Sequence, residues 1–260
     1  MSEVDLDLVR GLEERCVNAW PALRTLTVDG WALRLSDGHT RRANSATPLY
    51  PSARPVAETL DMVEATMRAA GLAPVVRVTP LAAPEVAPLL RARGWIEDDP
   101  AGVFVASAPP VLAPLPAGVA LRLDRRLSED WLAPAMAAYG HGERGASALR
   151  RMLPLIALPH VYATLTLDGA PAAFGLAVAE RGMVGLYDLV VVDAARGRGL
   201  GRALTQALRR WGAEQGAPAA YLQARVANPV ARALYASLGF REAYRYVQYV
   251  AQPLVHPENR

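Results

Sequence analysis

Arg196-Gly-Arg-Gly-Leu-Gly-Arg202 stands between an apolar run, Leu186–Val192, and an amphipathic run, Leu200–Trp211. Glycine at every second position between a strand and a helix builds a tight loop whose backbone N–H groups face outward. With the positive end of the following helix behind it, such a loop is a cradle for an anion of diphosphate size. The spacing Gly197, Gly199, Gly201 is not G-x-G-x-x-G, and the 260 residues include no lysine. A dinucleotide fingerprint and a P-loop lysine are both excluded, and so is a Schiff-base lysine.

The residues after the loop narrow the reading. Leu200, Leu204, Leu208 and Trp211 share one helical face, and Gly216 closes that helix. Tyr221–Arg225 reads as a short strand. Asn228-Pro229 opens a second helix, with asparagine at the N-cap and proline at the first helical position. Tyr235 follows Asn228 by about two helical turns. Gly239-Phe240 ends the helix, and Arg241–Val250 alternates as a final strand.

The stretch Asp188–Phe240 resembles the GNAT (GCN5-related) N-acetyltransferase family. The resemblance rests on the strand ending in Leu189-Val-Val-Val192, the R-x-x-G-x-G loop, Asn228, Tyr235 and Gly239-Phe240. It implies an α/β fold with a mixed sheet and acetyl-CoA as cosubstrate. The pyrophosphate would lie on Arg196, Gly197, Arg198, Gly199, Leu200, Gly201 and Arg202. The pantetheine arm would run along Leu189, Val190 and Val191, whose backbone N–H groups could polarise the thioester carbonyl. Asn228 and Tyr235 complete the cofactor side. Tyr235 is placed to protonate the departing thiolate, since a phenol of pKa about 10 keeps its proton until sulfur needs it. For the base, Asp188 is the one carboxylate inside an otherwise apolar strand; a structural role beside an arginine, with water relaying the proton, is the alternative. Two departures stand out. Asp193-Ala194 replaces the usual x-Pro, and Gln223 occupies the place of a catalytic glutamate in some members that acetylate protein N-termini.

The expected function is acetyl transfer from acetyl-CoA to the primary amine of a small or amino-acid-like acceptor, by direct attack in a ternary complex. A non-catalytic acyl-CoA-binding sensor or partner-binding protein is the alternative. Composition bounds the rest. The chain is 52% hydrophobic and 20% charged, without an apolar run long enough to span a membrane and without a signal-peptide pattern at Met1–Arg15. Its one cysteine, Cys16, permits no internal disulfide and reads as core packing. A cytoplasmic location fits these features. His39, His141, His160 and His256 lack ligand spacing, so no metal site is expected. A net charge of +3 is too small to argue for nucleic acid. The all-arginine, Ala- and Pro-rich composition reflects a GC-rich genome, in keeping with a bacterial source. Arg196, Arg198, Arg202, Arg209 and Arg210 gather near the cradle, although a solvated helix face explains Arg209 and Arg210 equally well.

The chain divides at a proline-rich connector within Ala106–Gly118. The expected domains are a degenerate GNAT-like domain at 1–106, a linker at 107–117 and a catalytic GNAT domain at 118–260. In the second, Val119–Leu123 reads as a strand, Ser128 as the cap of a helix through Tyr139, Ala146–Ala157 as another helix, and Val161–Leu167 with Ala172–Ala179 as a hairpin about Asp168-Gly169. The first half looks like a worn copy: Gly94-Trp95 and Gly239-Phe240 lie 145 residues apart (94 to 239), as do Pro84 and Pro229, or Gly71 and Gly216. Thr27-Val-Asp-Gly30 echoes Thr166-Leu-Asp-Gly169. The counterparts of the cradle are Pro51–Val56, where no triple-glycine loop can form. Chance likeness of two α/β segments is the competing account. Candidate acceptor residues are Tyr187, Gln223, Arg42 and Asn44, with Trp20, Trp31, Arg41, Tyr139, Tyr244 and Tyr246 as further pocket-lining candidates. Quaternary state stays open, a homodimer included.

Overall fold

The computed structural model describes residues 4–107, 114–140 and 143–252, apart from the side chain of Arg144. Residues 108–113 of the proline-rich connector, with His141 and His256, lie outside the described residues. The elements of the first half are α1 (Leu6–Ala19), β1 (Arg24–Val28), β2 (Trp31–Leu35), a 3₁₀ turn at Arg41–Ala43, β3 (Ala46–Pro48), α2 (Val56–Ala69), β4 (Val75–Val78), α3 (Val86–Ala92) and β5 (Ile96–Ala106). Those of the second are β6 (Val119–Asp124), α4 (Glu129–Tyr139), α5 (Glu143–Met152), β7 (His160–Leu167), β8 (Ala170–Glu180), β9 (Met183–Val191), α6 (Leu200–Glu214), β10 (Ala219–Arg225), α7 (Pro229–Ser237) and β11 (Arg241–Val250).

Each half carries the order strand, strand, strand, helix, strand, helix, strand, and the punctuation repeats as well as the elements. Hairpin turns form at Asp29-Gly30 (φ 45° and 84°) and Asp168-Gly169 (φ 52° and 83°), where two successive left-handed residues suit the strand twist. Helices α2, α3, α6 and α7 all end in the same glycine cap. Leu72 donates its N–H to Met67 O at 2.9 Å, Trp95 to Leu90 O at 3.0 Å, Ala217 to Gly212 O at 2.8 Å and Phe240 to Tyr235 O at 3.0 Å. The two halves repeat one order of elements with one set of turns and caps.

The compact units do not follow the two sequence halves. Unit 1 comprises Met1–Arg10, Ala22–Ala101 and Tyr244–Arg260; unit 2 comprises Gly11–Pro21 and Gly102–Ala243. In unit 1 the strand order is β1-β2-β3-β4-β11. Strand β11 runs antiparallel to β4, with Val247 opposite Val78 and Tyr249 opposite Val76. Leu33, Ala46, Val76 and Tyr249 sit in one core with Leu60, Val63 and Met67 of α2. In unit 2 the order is β5-β10-β9-β8-β7-β6, with Gly102–Ala106 as its share of β5. The last strand of each repeat thus contributes to the unit built mainly from the other.

In unit 2, α6 lies on β8 and β9 through glycines. A Cβ at Gly175 would stand 3.0 Å from Leu208 Cδ1, and one at Gly212 would stand 2.5 Å from Val184 Cβ. Two local expectations need correction. Ser128 precedes α4 but makes no capping bond, and its hydroxyl is buried without a partner among the described residues. Helix α5 starts at Glu143 and stops at Met152, because Leu153-Pro154-Leu155 tightens into a 3₁₀ turn. Among the described residues no helix is long and apolar enough to cross a membrane.

Gly212→Ala forces a methyl group into the Val184 side chain, which cannot rotate out of the way. A loss of about 1–3 kcal/mol is expected. Urea denaturation should show it as a lower midpoint at unchanged slope.

Candidate functional site

Strand β9 is the backbone of the site, all of which lies in unit 2. It starts between β8, antiparallel, and β10, parallel. The pairing with β10 runs from Met183 opposite Ala219 to Leu186 opposite Leu222 and stops there. On the other edge, Leu176 faces Tyr187 but Phe174 faces Val190, so Asp188 and Leu189 together oppose Gly175. This is a β-bulge, which bends the strand and shifts its alternation by one. Before it, Val184 and Leu186 belong to the α6 core; after it, Leu189 and Val191 pack there. Beyond Leu186, then, the edge of β9 loses β10 as its ladder partner while carrying a main chain bent by the bulge.

Asp188 is the residue that makes the bulge. Its φ of +48° is left-handed, and among the described non-glycine residues with such a φ it alone lies inside a strand of unit 2. Asp and Asn tolerate that region better than other side chains. The backbone alone therefore accounts for an aspartate here, alongside any proton-transfer role.

At the end of β9 the chain turns through a 3₁₀ turn at Asp193–Ala195 into the glycine loop. Gly197 and Gly199 have φ of +75° and +78°, and a Cβ on either would meet nothing within 4 Å. Their glycine is required by the backbone, and the loop is open on its outer side. Gly201 serves packing instead: its Cβ would come 3.2 Å from Leu234 Cδ2 of α7 and 3.8 Å from Val191 Cγ2. That contact joins the loop, the end of β9 and α7 at one place. Arg196 is ion-paired to Asp193 at 2.7 Å and Arg202 donates to Ser237 Oγ at 2.7 Å. Exposed Arg198 has no partner among the described residues. Arg209 differs from the solvated-face expectation: it is buried, donates to Leu238 O at 2.9 Å and lies 5.1 Å from the Phe240 ring centroid. Burial lowers its pKa, and it binds the end of α7 to α6. Arg210 pairs with Glu214 at 3.0 Å.

Helix α7 brings Tyr235. Asn228 caps the helix, its Oδ1 accepting from Ala231 N at 3.0 Å, and Pro229 takes the first helical position. The Tyr235 ring meets Phe240 edge-on at 5.9 Å and belongs to the core that includes Leu200 and Ala203 of α6. Its hydroxyl has no hydrogen-bond partner among the described residues. Burial pushes the phenol up to about 12 from its ordinary 10, because the phenolate would lose hydration.

The acceptor candidates separate. Tyr187 and Gln223 lie in unit 2, Tyr187 beside Trp20, another pocket-lining candidate, and Gln223 beside Cys16, which was expected only as core packing. The Tyr187 and Tyr221 hydroxyls are 2.7 Å apart, and Trp20 stacks on the Tyr187 ring at 6.1 Å and 24°. Gln223 Nε2 donates to Cys16 Sγ at 2.9 Å. Arg42 and Asn44 belong to unit 1. The Arg42 carbonyl accepts from Arg34 Nη1 at 2.5 Å. Asn44 Oδ1 accepts from Ser36 N at 2.6 Å and Gly38 N at 3.1 Å, while its Nδ2 donates to Ser36 O at 3.1 Å and Thr40 O at 2.7 Å. Four bonds exhaust an asparagine amide, so Asn44 closes the β2–β3 loop and keeps no group for an acceptor. Trp31 is likewise a core residue, its Nε1 donating to Ser52 Oγ at 2.9 Å, and Tyr244 and Tyr246 are buried.

Comparison with known proteins bears on the family and the fold. The family model described as "Probable histone acetyltransferase Rv0428c C-terminal" matches residues 7–250. The Mycobacterium tuberculosis protein named "Probable histone acetyltransferase Rv0428c" is 29% identical over 253 residues, covering 90% of this chain and 70% of its own. Among solved structures, a GCN5-related N-acetyltransferase from Kribbella flavida superposes with a TM-score of 0.69 at 17% identity over 97% of both chains. A tandem GNAT protein from the clavulanic acid biosynthesis pathway does so with a TM-score of 0.66 at 17% identity, over 95% of this chain and 88% of its own.

The glycines of the loop should respond differently to alanine. Gly197→Ala and Gly199→Ala meet no atoms, so each should cost only the backbone strain of a left-handed residue, about 1–2 kcal/mol. Gly201→Ala should instead move Leu234 and α7. Near-ultraviolet circular dichroism of the tyrosines should change for Gly201→Ala alone.

Proposed function

This chain belongs to the Rv0428c C-terminal family, an acetyltransferase family of GCN5-related fold. From that premise we propose that it transfers acetyl from acetyl-CoA to the primary amine of a small or amino-acid-like acceptor, by direct attack in a ternary complex. The observation that carries this reading is the convergence, within one unit, of an open glycine loop, a strand that has lost its neighbour and a buried phenol without a partner. The loop fits a diphosphate because Gly197 and Gly199 turn the chain without side chains. The N-terminus of α6 and the exposed Arg198 add positive potential.

Acetyl-CoA supplies the activated carbonyl and the thiol leaving group. The C–N bond to the acceptor forms as the C–S bond breaks, with one proton leaving the amine and one reaching sulfur. The N–H groups of Leu189–Val191 that face away from β8 hold the charge developing on the carbonyl oxygen, and being fixed in a strand they need no reorganisation. Tyr235 gives its proton to sulfur. The burial that raises its pKa keeps it in the acid form across the working pH range. Asp188, directly or through water, takes the proton from the amine.

The mycobacterial relative's name refers to histones, so a lysine-bearing peptide belongs in the acceptor panel beside phenethylamine and spermidine. Release of CoA should be seen with at least one of them. Tyr235→Phe should lower kcat about 100-fold while the Kd for acetyl-CoA, by calorimetry, stays within about twofold. The proton sign sets the pH profile. The acid form is the active one, so any loss of rate due to Tyr235 should come only as pH rises toward about 12. Tight acetyl-CoA binding with no CoA release from any amine would favour a sensor instead.

A further inference from the structure

The two residues that follow the last β9–β10 pair are held by one segment, Gly11–Pro21. Tyr187 follows Leu186 and Gln223 follows Leu222, the last pair in register. The residues Gly11–Pro21, which include most of α1, belong to unit 2. They are anchored to the β8–β9 turn: Arg15 donates to Glu180 O at 3.3 Å and Arg181 O at 3.0 Å, and Asn18 Nδ2 to Glu180 Oε1 at 3.0 Å. From that anchor Trp20 stacks on Tyr187 and Cys16 accepts from Gln223.

The faces of the sheet say which reactant this affects. Val184, Leu186 and Leu222 pack with α6, behind the glycine loop. Tyr187 and Tyr221 lie on the opposite face, where a Cβ at Gly185 would stand 2.5 Å from the Tyr221 hydroxyl. If the cradle takes the cofactor on the first face, the second, where Trp20, Tyr187 and Tyr221 are buried, is left for the acceptor. Gln223 is the half-buried polar side chain at that point of β10.

We propose that the segment Gly11–Pro21 completes the acceptor side of unit 2, with Cys16 and Trp20 as positioning residues. Cys16 fixes the rotation of the Gln223 amide, and Trp20 fixes the Tyr187 ring. Neither touches the acceptor; each limits how far one of those two side chains can move. The inference rests on the acetyltransferase reading, and it assigns affinity for the amine to a segment far from Gln223 in sequence.

The test is steady-state kinetics on the full chain, with acetyl-CoA and whichever of phenethylamine, spermidine and a lysine-bearing peptide is turned over. Cys16→Val keeps an apolar side chain but removes the sulfur acceptor; Cys16→Ser restores an acceptor. Cys16→Val should raise KM for the amine about tenfold, as a displaced positioning group does, with KM for acetyl-CoA within about twofold. Cys16→Ser should recover most of the loss, and Trp20→Phe, which keeps a ring to stack, should stay near wild type. A purely structural role would move both KM values together, or neither, and either result overturns the proposal. So would failure of Cys16→Ser to rescue. If the wild type itself binds acetyl-CoA but acetylates none of the three amines, the transferase reading fails first and this one with it.

Discussion

A strand that loses one neighbour part-way along its length is the constraint on which the candidate site depends. Strand β9 is paired on both edges up to Leu186, and from Tyr187 it is paired on one. An exposed strand edge normally invites another strand. Here the bulge at Asp188 bends it, and the alternation shifts so that Leu189 and Val191 still reach the α6 core. One extra residue therefore lets the same strand be core on one face and an open hydrogen-bonding edge at its side. The glycine loop follows directly, and Gly201 lets α7 close up against it. Tyr235 lies on α7, the helix that packs against the loop there.

The two repeats share a common frame and differ at the glycine loop. Hairpin turns and glycine caps recur in both, since they are set by local backbone conformation. The cradle does not recur: Pro51–Val56 stands at its place, and α2 follows Pro55 without a side-chain cap. The β2–β3 loop of unit 1 is instead held by the Asn44 amide. Unit 1 keeps the architecture while its polar residues serve loop closure.

Much of the site was legible because its signals are local. The glycine spacing, the Asn228-Pro229 start and the Gly239-Phe240 stop each act within a few residues, and the structure forms all three. Asp188 stood out as a carboxylate in an apolar strand, but its left-handed φ depends on the register against β8, which no local pattern encodes. Arg209 looked like a surface residue; the carbonyl it binds is Leu238 O, beyond the next strand and helix. Ser128 had the right chemistry for a cap, yet its hydroxyl is buried without a bond to the helix.

The amino-acid sequence by itself determined the strand, glycine loop and helix order around residue 199, the starts and stops of the helices that follow, and that a loop suited to an anion precedes α6. Backbone preferences and hydrophobic periodicity act over a few residues and are written in the order of the chain. Only the tertiary structure decided that β9 parts from β10 after Leu186, that Cys16 meets Gln223 and Trp20 meets Tyr187, and that β11 completes the sheet of unit 1. Those outcomes depend on strand register and side-chain packing between residues far apart in sequence. Such contacts are chosen by which faces bury together, and no single segment contains that information.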